Sequence, residues 1–217
     1  GLHLSFGPNG RFSLYFSRSL SPETARSCAR ELSKLGFSKI RKKSSIKLED
    51  GKDKLGLYFL VRPPALETPA TSAYFRLIAM KLSARIFQSK PIEVFLSTRA
   101  FKKDKSLSIA GSVELRHGAN ELFYGKNELT EEQGRELLES LEKLLVFQDH
   151  SSHTVVARKS PKGYELYFAL KEGLWRNATI VKTFSTLARR LSTREYLSKE
   201  TKIYLCNSIL EAKRVLP

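Results

Sequence analysis

Cysteine, tryptophan and methionine are nearly absent: two, one and one among 217 residues. Two cysteines permit one disulfide at most, which excludes a disulfide-framed fold and a multi-cysteine zinc site. Cys28 and Cys206 also stand at non-equivalent points of the repeat described below, aligned with Leu137 and Ser97. Both are therefore expected to be buried thiols, which points to a reducing, cytoplasmic compartment. No apolar run approaches the roughly 18 residues a membrane span needs. Gly-rich phosphate loops, the G-x-S-x-G elbow and the H-E-x-x-H helix are all missing, so no cofactor and no enzymatic activity are expected. The chain opens on Gly1 rather than Met, which predicts that the natural start lies upstream, where a signal peptide or anchor would stand.

Acidic residues are scarce in one half only. Residues 1–108 hold 21 Lys and Arg against 8 Asp and Glu, a net of +13, whereas residues 109–217 hold 17 against 14, a net of +3. The run Glu131, Glu132, Glu136, Glu139 and Glu142 offsets much of the second half's charge. A basic surface attracts nucleic acid, anionic lipid or acidic proteins.

What the chain does contain is a second copy of itself. Shifted by 109 residues without a gap, Tyr15 meets Tyr124, Leu20 meets Leu129, Glu23 meets Glu132 and Arg26 meets Arg135. Leu57-Tyr58-Phe59 falls on Leu166-Tyr167-Phe168, and Phe75, Ala79, Leu82 and Arg85 fall on Phe184, Ala188, Leu191 and Arg194. Self-similarity at a fixed offset is the signature of a duplicated structural unit. Two domains follow, residues 1–108 and 109–217, each long enough to bury its own core.

Within one copy, alternating Leu2–Phe6 and Phe12–Phe16 around Pro8-Asn9-Gly10 predict a β-hairpin, with Val113–Leu115 and Glu121–Tyr124 as its counterpart. Ser21-Pro22-Glu23 and Thr130-Glu131-Glu132 read as helix starts, where a hydroxyl cap, proline and acids all suit the first turn. Strands are predicted at 45–48 and 55–61 and again at 154–157 and 164–170. A second helix is predicted from about Thr71 to Phe87, and a closing strand at 92–96 and 202–206. The fold class is thus α+β: two tandem β-β-α-β-β-α-β repeats with mainly antiparallel sheets, helices on one face, and packing about a pseudo-twofold axis. Lys102–Gly111 reads as the linker.

Candidate chemistry is sparse. His150 and His153 share a loop beside Asp149 without a third ligand cluster, so they read as solvated side chains and no metal is expected. Glu23 and Glu132 are the shared acids, and the helix dipole accounts for them. The recurring cations Arg26/Arg135, Lys34/Lys143, Arg85/Arg194 and Lys90/Lys199 read as stems over apolar faces with wet heads. Trp175 is expected to plug a joint between helix and sheet.

Basic clusters unique to the first copy are the candidate partner-binding residues: Lys39, Arg41, Lys42, Lys43 and Lys47, then Lys52 and Lys54, then Lys102, Lys103 and Lys105. Tyr58 and Tyr167 are strand tyrosines able to stack bases if their sheet face is open, although the Leu-Tyr-Phe triplets lack the Gly-containing strand motif of RNA-recognition domains.

Phe87-x3-Pro91-Ile92-Glu93-Val94-Phe95-Leu96, Ile203-Tyr204-Leu205-Cys206-Asn207, the Thr-x-Glu-Glu type of helix start and Lys171-Glu172-Gly173 resemble tandem α+β modules of uncharacterised bacterial proteins. The resemblance covers most of each repeat and implies a scaffold, with no functional residues to carry over. Those modules are near neutral or acidic, whereas this chain is basic. A looser likeness, to TATA-binding proteins, rests only on a duplicated unit of helices behind a sheet. The expectation is a non-enzymatic binding module that engages an anionic macromolecule, an acidic protein or an anionic lipid surface, through the basic face of the first repeat. The alternative is a nucleic-acid-binding protein using the same face and a curved sheet.

Overall fold

The computed structural model describes residues 2–7, 10, 12–37, 44–99, 101–143, 153–193 and 200–216. The chain forms two compact units, Gly1–Ser112 and Val113–Pro217. In unit 1, β1 (Leu2–Phe6) and β2 (Phe12–Phe16) lead to α1 (Pro22–Lys34). Next, β3 (Ser44–Asp50) and β4 (Leu55–Leu60) lead through the short α2 (Pro63–Leu66) to α3 (Pro69–Arg85), and β5 (Ile92–Ser97) and β6 (Lys105–Ile109) close the unit. The second half runs β7 (Ser112–His117), β8 (Asn120–Gly125), α4 (Glu131–Lys143), β9 (Thr154–Lys159), β10 (Gly163–Ala169), a 3-10 turn at Leu174–Arg176, α5 (Ala178–Ser192), β11 (Glu200–Cys206) and β12 (Ala212–Leu216).

The class is α+β, but three sequence expectations change. Each unit has a sixth strand, so the element order is ββαββαββ. Lys102–Gly111 is not a linker, because β6 lies inside it and pairs with β5, burying Leu107 and Ile109. The sheets are mixed rather than mainly antiparallel. Hairpin-linked β1–β2, β3–β4 and β5–β6 are antiparallel, whereas β2–β3 and β4–β5 are parallel. The reason lies in the connections: a tight turn reverses the chain, and a helical crossover returns it to start the next strand in the same direction. Unit 2 follows suit, with β8–β9 and β10–β11 parallel and β9–β10 and β11–β12 antiparallel.

Strand register also revises the gapless repeat. The offset of 109 holds where Leu57 pairs with Leu48 and Leu166 with Ala157, and where Leu57 pairs with Val94 and Leu166 with Ile203. At the first hairpin it falls to 108: Phe16 pairs with Leu48 while Tyr124 pairs with Ala157. Tyr15 therefore corresponds to Phe123, and Tyr124 corresponds to Phe16. A shift of one residue moves a side chain to the opposite sheet face, so Tyr15 and Tyr124, though identical in the gapless match, face opposite ways.

Local chemistry sets the helix starts. The Ser21 hydroxyl accepts from the Thr24 amide at 3.0 Å, with Pro22 at the first helical position. Thr130 and Gln133 exchange reciprocal bonds at 3.0 and 3.2 Å, a capping box on α4. In unit 1 the core-facing residues Phe12, Leu14, Ile46, Leu48, Leu57, Phe59, Val94 and Leu96 alternate along their strands and are buried, as are Leu32, Phe75, Ile78 and Leu82 of the helices, with the Phe59 and Phe75 rings 4.5 Å apart. In unit 2 one apolar cluster joins alternate strand residues to Leu137, Leu141, Phe184 and Leu191, and Trp175 is buried in it. Arg85 pairs with Glu31, which is only 7% exposed, joining α3 to α1. No described helix is long and apolar enough to cross a membrane.

Candidate functional site

The long helices of unit 1, α1 and α3, lie on the core side, so alternation places every second strand residue on the helix-free face. One residue per strand lines up across that face. His3 pairs with Tyr15, Tyr15 with Lys47, Lys47 with Tyr58, Tyr58 with Phe95, and Phe95 with Ser106. The row is largely aromatic. Tyr58 and Phe95 stack with centroids 4.6 Å apart, and His3 and Tyr15 lie 5.1 Å apart.

A third element completes the row. Phe101, from the β5–β6 connection, meets Tyr15 at 6.3 Å and Tyr58 at 6.4 Å, edge-on to both. Its φ of 55° is left-handed, a conformation costly for a bulky side chain. The connection is held by Asp104, which accepts from the Thr98 amide at 2.7 Å and hydroxyl at 2.8 Å, bonds that keep its carboxyl below the usual range. Ser97 adds a bond to the Lys102 carbonyl.

Cations sit on the rings. The Lys103 ammonium lies 4.2 Å from the Phe95 centroid and 5.8 Å from Tyr58, and Lys47 lies 5.2 Å from Tyr58. Lys47 also pairs with Glu49, which accepts from the Tyr58 hydroxyl at 2.6 Å. The Lys47 bond, then the Tyr58 bond, hold the Glu49 carboxyl below its ordinary value. Burial and the bond to Glu49 push the Tyr58 hydroxyl up. Beside the rings a cleft of about 400 Å³ is lined by Glu49, Lys54, Gly56, Glu93 and Lys103. Gly56 lets the rings close in on β4: a Cβ there would sit 3.1 Å from a Tyr58 ring carbon and 3.6 Å from one of Phe95.

Comparison with protein-family models, curated proteins and solved structures returns no match. The site is therefore read from its own chemistry.

The structure sorts the ten candidate cations. Lys39, Arg41, Lys42 and Lys43 lie outside the described residues. Lys47 and Lys103 join the aromatic row. Lys54 pairs with Glu93, so its charge is largely offset. Lys105 belongs elsewhere: its register with Leu96 places it on the helix side, and its ammonium donates to the Leu66 carbonyl of α2 at 2.6 Å. The α2 carbonyl, 39 residues away in sequence, claims this lysine, so it is not part of the helix-free face. Lys52 and Lys102 are exposed. The recurring cations are largely internal ties: Lys90 bonds Asp50 at 2.6 Å and the Gly51 carbonyl at 2.9 Å, and Arg135 bonds Glu131 at 2.6 Å. Arg194 and Lys199 lie outside the described residues.

Sequence reasoning found Tyr58 but missed Tyr15, Phe95 and Phe101. For Tyr15 the signal was present, since it alternates with core-facing Leu14 and Phe16. Phe95 and Phe101 had no local signal, because only the parallel β4–β5 pairing and the turn at Phe101 bring them to Tyr58. Neither thiol is poised for chemistry: burial pushes both Cys28 and Cys206 up to about 12. No group of three or more His, Cys, Asp or Glu forms a metal-sized cluster among the described residues, and His150 lies outside them.

Proposed function

We propose that the protein is a non-catalytic tandem binding module that engages an anionic partner through the helix-free face of unit 1. The observation that carries this reading is the row Tyr15, Lys47, Tyr58 and Phe95, crossed by Lys103 next to exposed Lys102, with exposed Lys52 in the β3–β4 turn of the same unit. It belongs to the half that holds the net charge of +13, 21 basic against 8 acidic residues. The corresponding row of unit 2 is Phe123, Val156, Tyr167, Tyr204 and Val215, which carries no lysine. Summed positive potential of this kind raises association rates and is screened by salt.

Inorganic polyphosphate tests the reading without presupposing a macromolecule. Titrated into the full chain at low salt, it should bind, and the triple variant Lys52→Glu, Lys102→Glu, Lys103→Glu should lose that binding at least tenfold. A matched reversal on unit 2, at exposed Lys159, Lys162 and Lys171, should change it far less. Equal losses from the two triples would mean that only overall charge matters, and the reading would fail.

A further inference from the structure

Resting on that reading, we propose that the occupant of the helix-free face of unit 1 is a single-stranded nucleic acid, with one base stacked at Tyr15 and backbone phosphates drawn to Lys102 and Lys103. The row of rings is not uniform. Tyr58 and Phe95 are buried beneath Lys47, Lys103 and Phe101, whereas Tyr15 is 40% exposed. Its neighbours hold it in place: His3 tilts against it at 5.1 Å and Phe101 meets it edge-on at 6.3 Å.

Access to that ring comes from the adjacent row. Ser5 pairs with Ser13 and Ser13 with Ser45, so three strands in succession present a hydroxymethyl group beside the aromatic row. Among the described residues, short side chains stand beside Tyr15 in that row, and their hydroxyls can donate or accept toward a sugar or base edge. The left-handed Phe101 belongs to the same design, since its strained backbone sets a ring across Tyr15 and Tyr58 rather than into the core. Aromatic platforms with cations alongside are the physical basis of sequence-tolerant single-strand binding, because every base has a π-face.

The competing partners use these features less well. A carboxylate of an acidic protein is repelled by the negative face of an aromatic ring, so the row would be wasted on it. A lipid surface rewards protruding aliphatic side chains. Leu2, an exposed aliphatic residue of unit 1, pairs in register with Phe16 and so points to the other side of the sheet. Duplex DNA offers no unstacked base for Tyr15.

The decisive experiment is fluorescence anisotropy of the full chain with a labelled oligothymidylate of about 12 nucleotides, within the span of one such platform. Polyphosphate and phosphatidylserine vesicles serve as base-free anions. Tyr15→Ala should weaken oligonucleotide binding about tenfold, the worth of one stacked base, while Tyr15→Phe keeps it. Neither variant should alter polyphosphate binding. Lys103→Ala should reduce the magnitude of the salt slope by about 0.7 for each phosphate that the lysine neutralises. Oligonucleotide binding that Tyr15→Ala leaves unchanged overturns the stacking inference and leaves the anionic-partner reading standing. So does binding to vesicles but not to the oligonucleotide, which would assign the face to lipid. If the chain binds neither polyphosphate, vesicles nor oligonucleotide, both readings fall together.

Discussion

The two units carry the same stacked ring pair on the same strands and surround it with inverted charges. In unit 1, Tyr58 stacks on Phe95, its hydroxyl donates to Glu49 on β3, and Gly56 on β4 leaves a cleft at the ring edges. In unit 2, Tyr167 stacks on Tyr204 at 4.4 Å, and the position of Glu49 is taken by Arg158, whose guanidinium lies 5.0 Å from the Tyr167 ring. Glu165 stands in place of Gly56 and accepts from both hydroxyls, at 2.9 and 3.1 Å. Burial, then the bond to Glu165, push both tyrosines up. The ring pair is thus a shared device for covering a sheet centre without a helix. Opening it toward a ligand or sealing it with a carboxylate depends on two neighbouring positions.

The largest expected difference between the units lies at their helices. Glu31 of α1, paired with Arg85, corresponds to buried Ser140 of α4. Glu31→Ala should destabilise unit 1 by about 2 kcal/mol, because it removes the buried carboxylate that ties half-buried Arg85 of α3 to α1, whereas Ser140→Ala should cost unit 2 less than about 1 kcal/mol. Denaturant titration separates them, since Trp175, the single tryptophan, is buried in unit 2 and its fluorescence reports that unit, while amide exchange reports unit 1. A larger loss from Ser140→Ala would break the comparison.

Next in size is a pair of exchanged positions. Unit 1 has Phe16 and Ala25 where unit 2 has Tyr124 and Gly134. A Cβ on Gly134 would lie 2.8 Å from Tyr124 Cε1 and 3.0 Å from Leu115 Cδ1, inside a packed core. Gly134→Ala should therefore cost about 2 kcal/mol despite the gain in helix propensity, which alone would favour alanine by about 1 kcal/mol. Ala25→Gly in unit 1 should cost about 1 kcal/mol by the propensity term. A stabilising Gly134→Ala, seen as a later tryptophan transition, would show that the Tyr124 ring yields.

Removing the shared acceptor comes third. Glu165→Ala strands two half-buried hydroxyls and should cost unit 2 about 1–2 kcal/mol by the same fluorescence readout. An unchanged midpoint would mean that water replaces the carboxylate at no cost. The buried Tyr124 hydroxyl is the reverse case, for it has no hydrogen-bond partner among the described residues. Tyr124→Phe, which restores the residue of unit 1, should stabilise unit 2 by up to about 1 kcal/mol.

The smallest effect is a titration. Glu49 is held below its ordinary value of 4.5, so its contribution to unit 1 is complete above that pH and is lost as pH falls through the lower, folded value. Lys47→Ala should move the Glu49 titration back toward 4.5, measured by the carboxyl carbon shift in NMR. No movement would assign the depression to Tyr58 instead.

Much of the fold was legible in the sequence, because its signals are local. Ser21-Pro22-Glu23 and Thr130-Glu131-Glu132 carry their helix starts in adjacent residues, and the alternation of Phe12, Leu14 and Phe16 encodes a face. The strand β6 was hidden by its flanks, since Lys102, Lys103 and Lys105 make a half-apolar segment look like a tether. The parallel pairs were hidden for a different reason: strand direction follows from the crossover helix and leaves no mark on the strand itself. At the site, Lys47, Lys54 and Lys105 look alike as letters in a basic run. One lies on a ring, one on a glutamate and one on a helix carbonyl.

The sequence by itself determined that this chain is α+β, with matching patterns in its two halves and most of its positive charge in the first, because composition, capping and periodicity are properties of short windows. Only the tertiary structure decided which face holds the rings, that Tyr15 is matched by Phe123 rather than Tyr124, and that Phe95 and Phe101 meet Tyr58. Those facts depend on strand register and on one left-handed residue, and a register slip of one position would turn the entire row into the core.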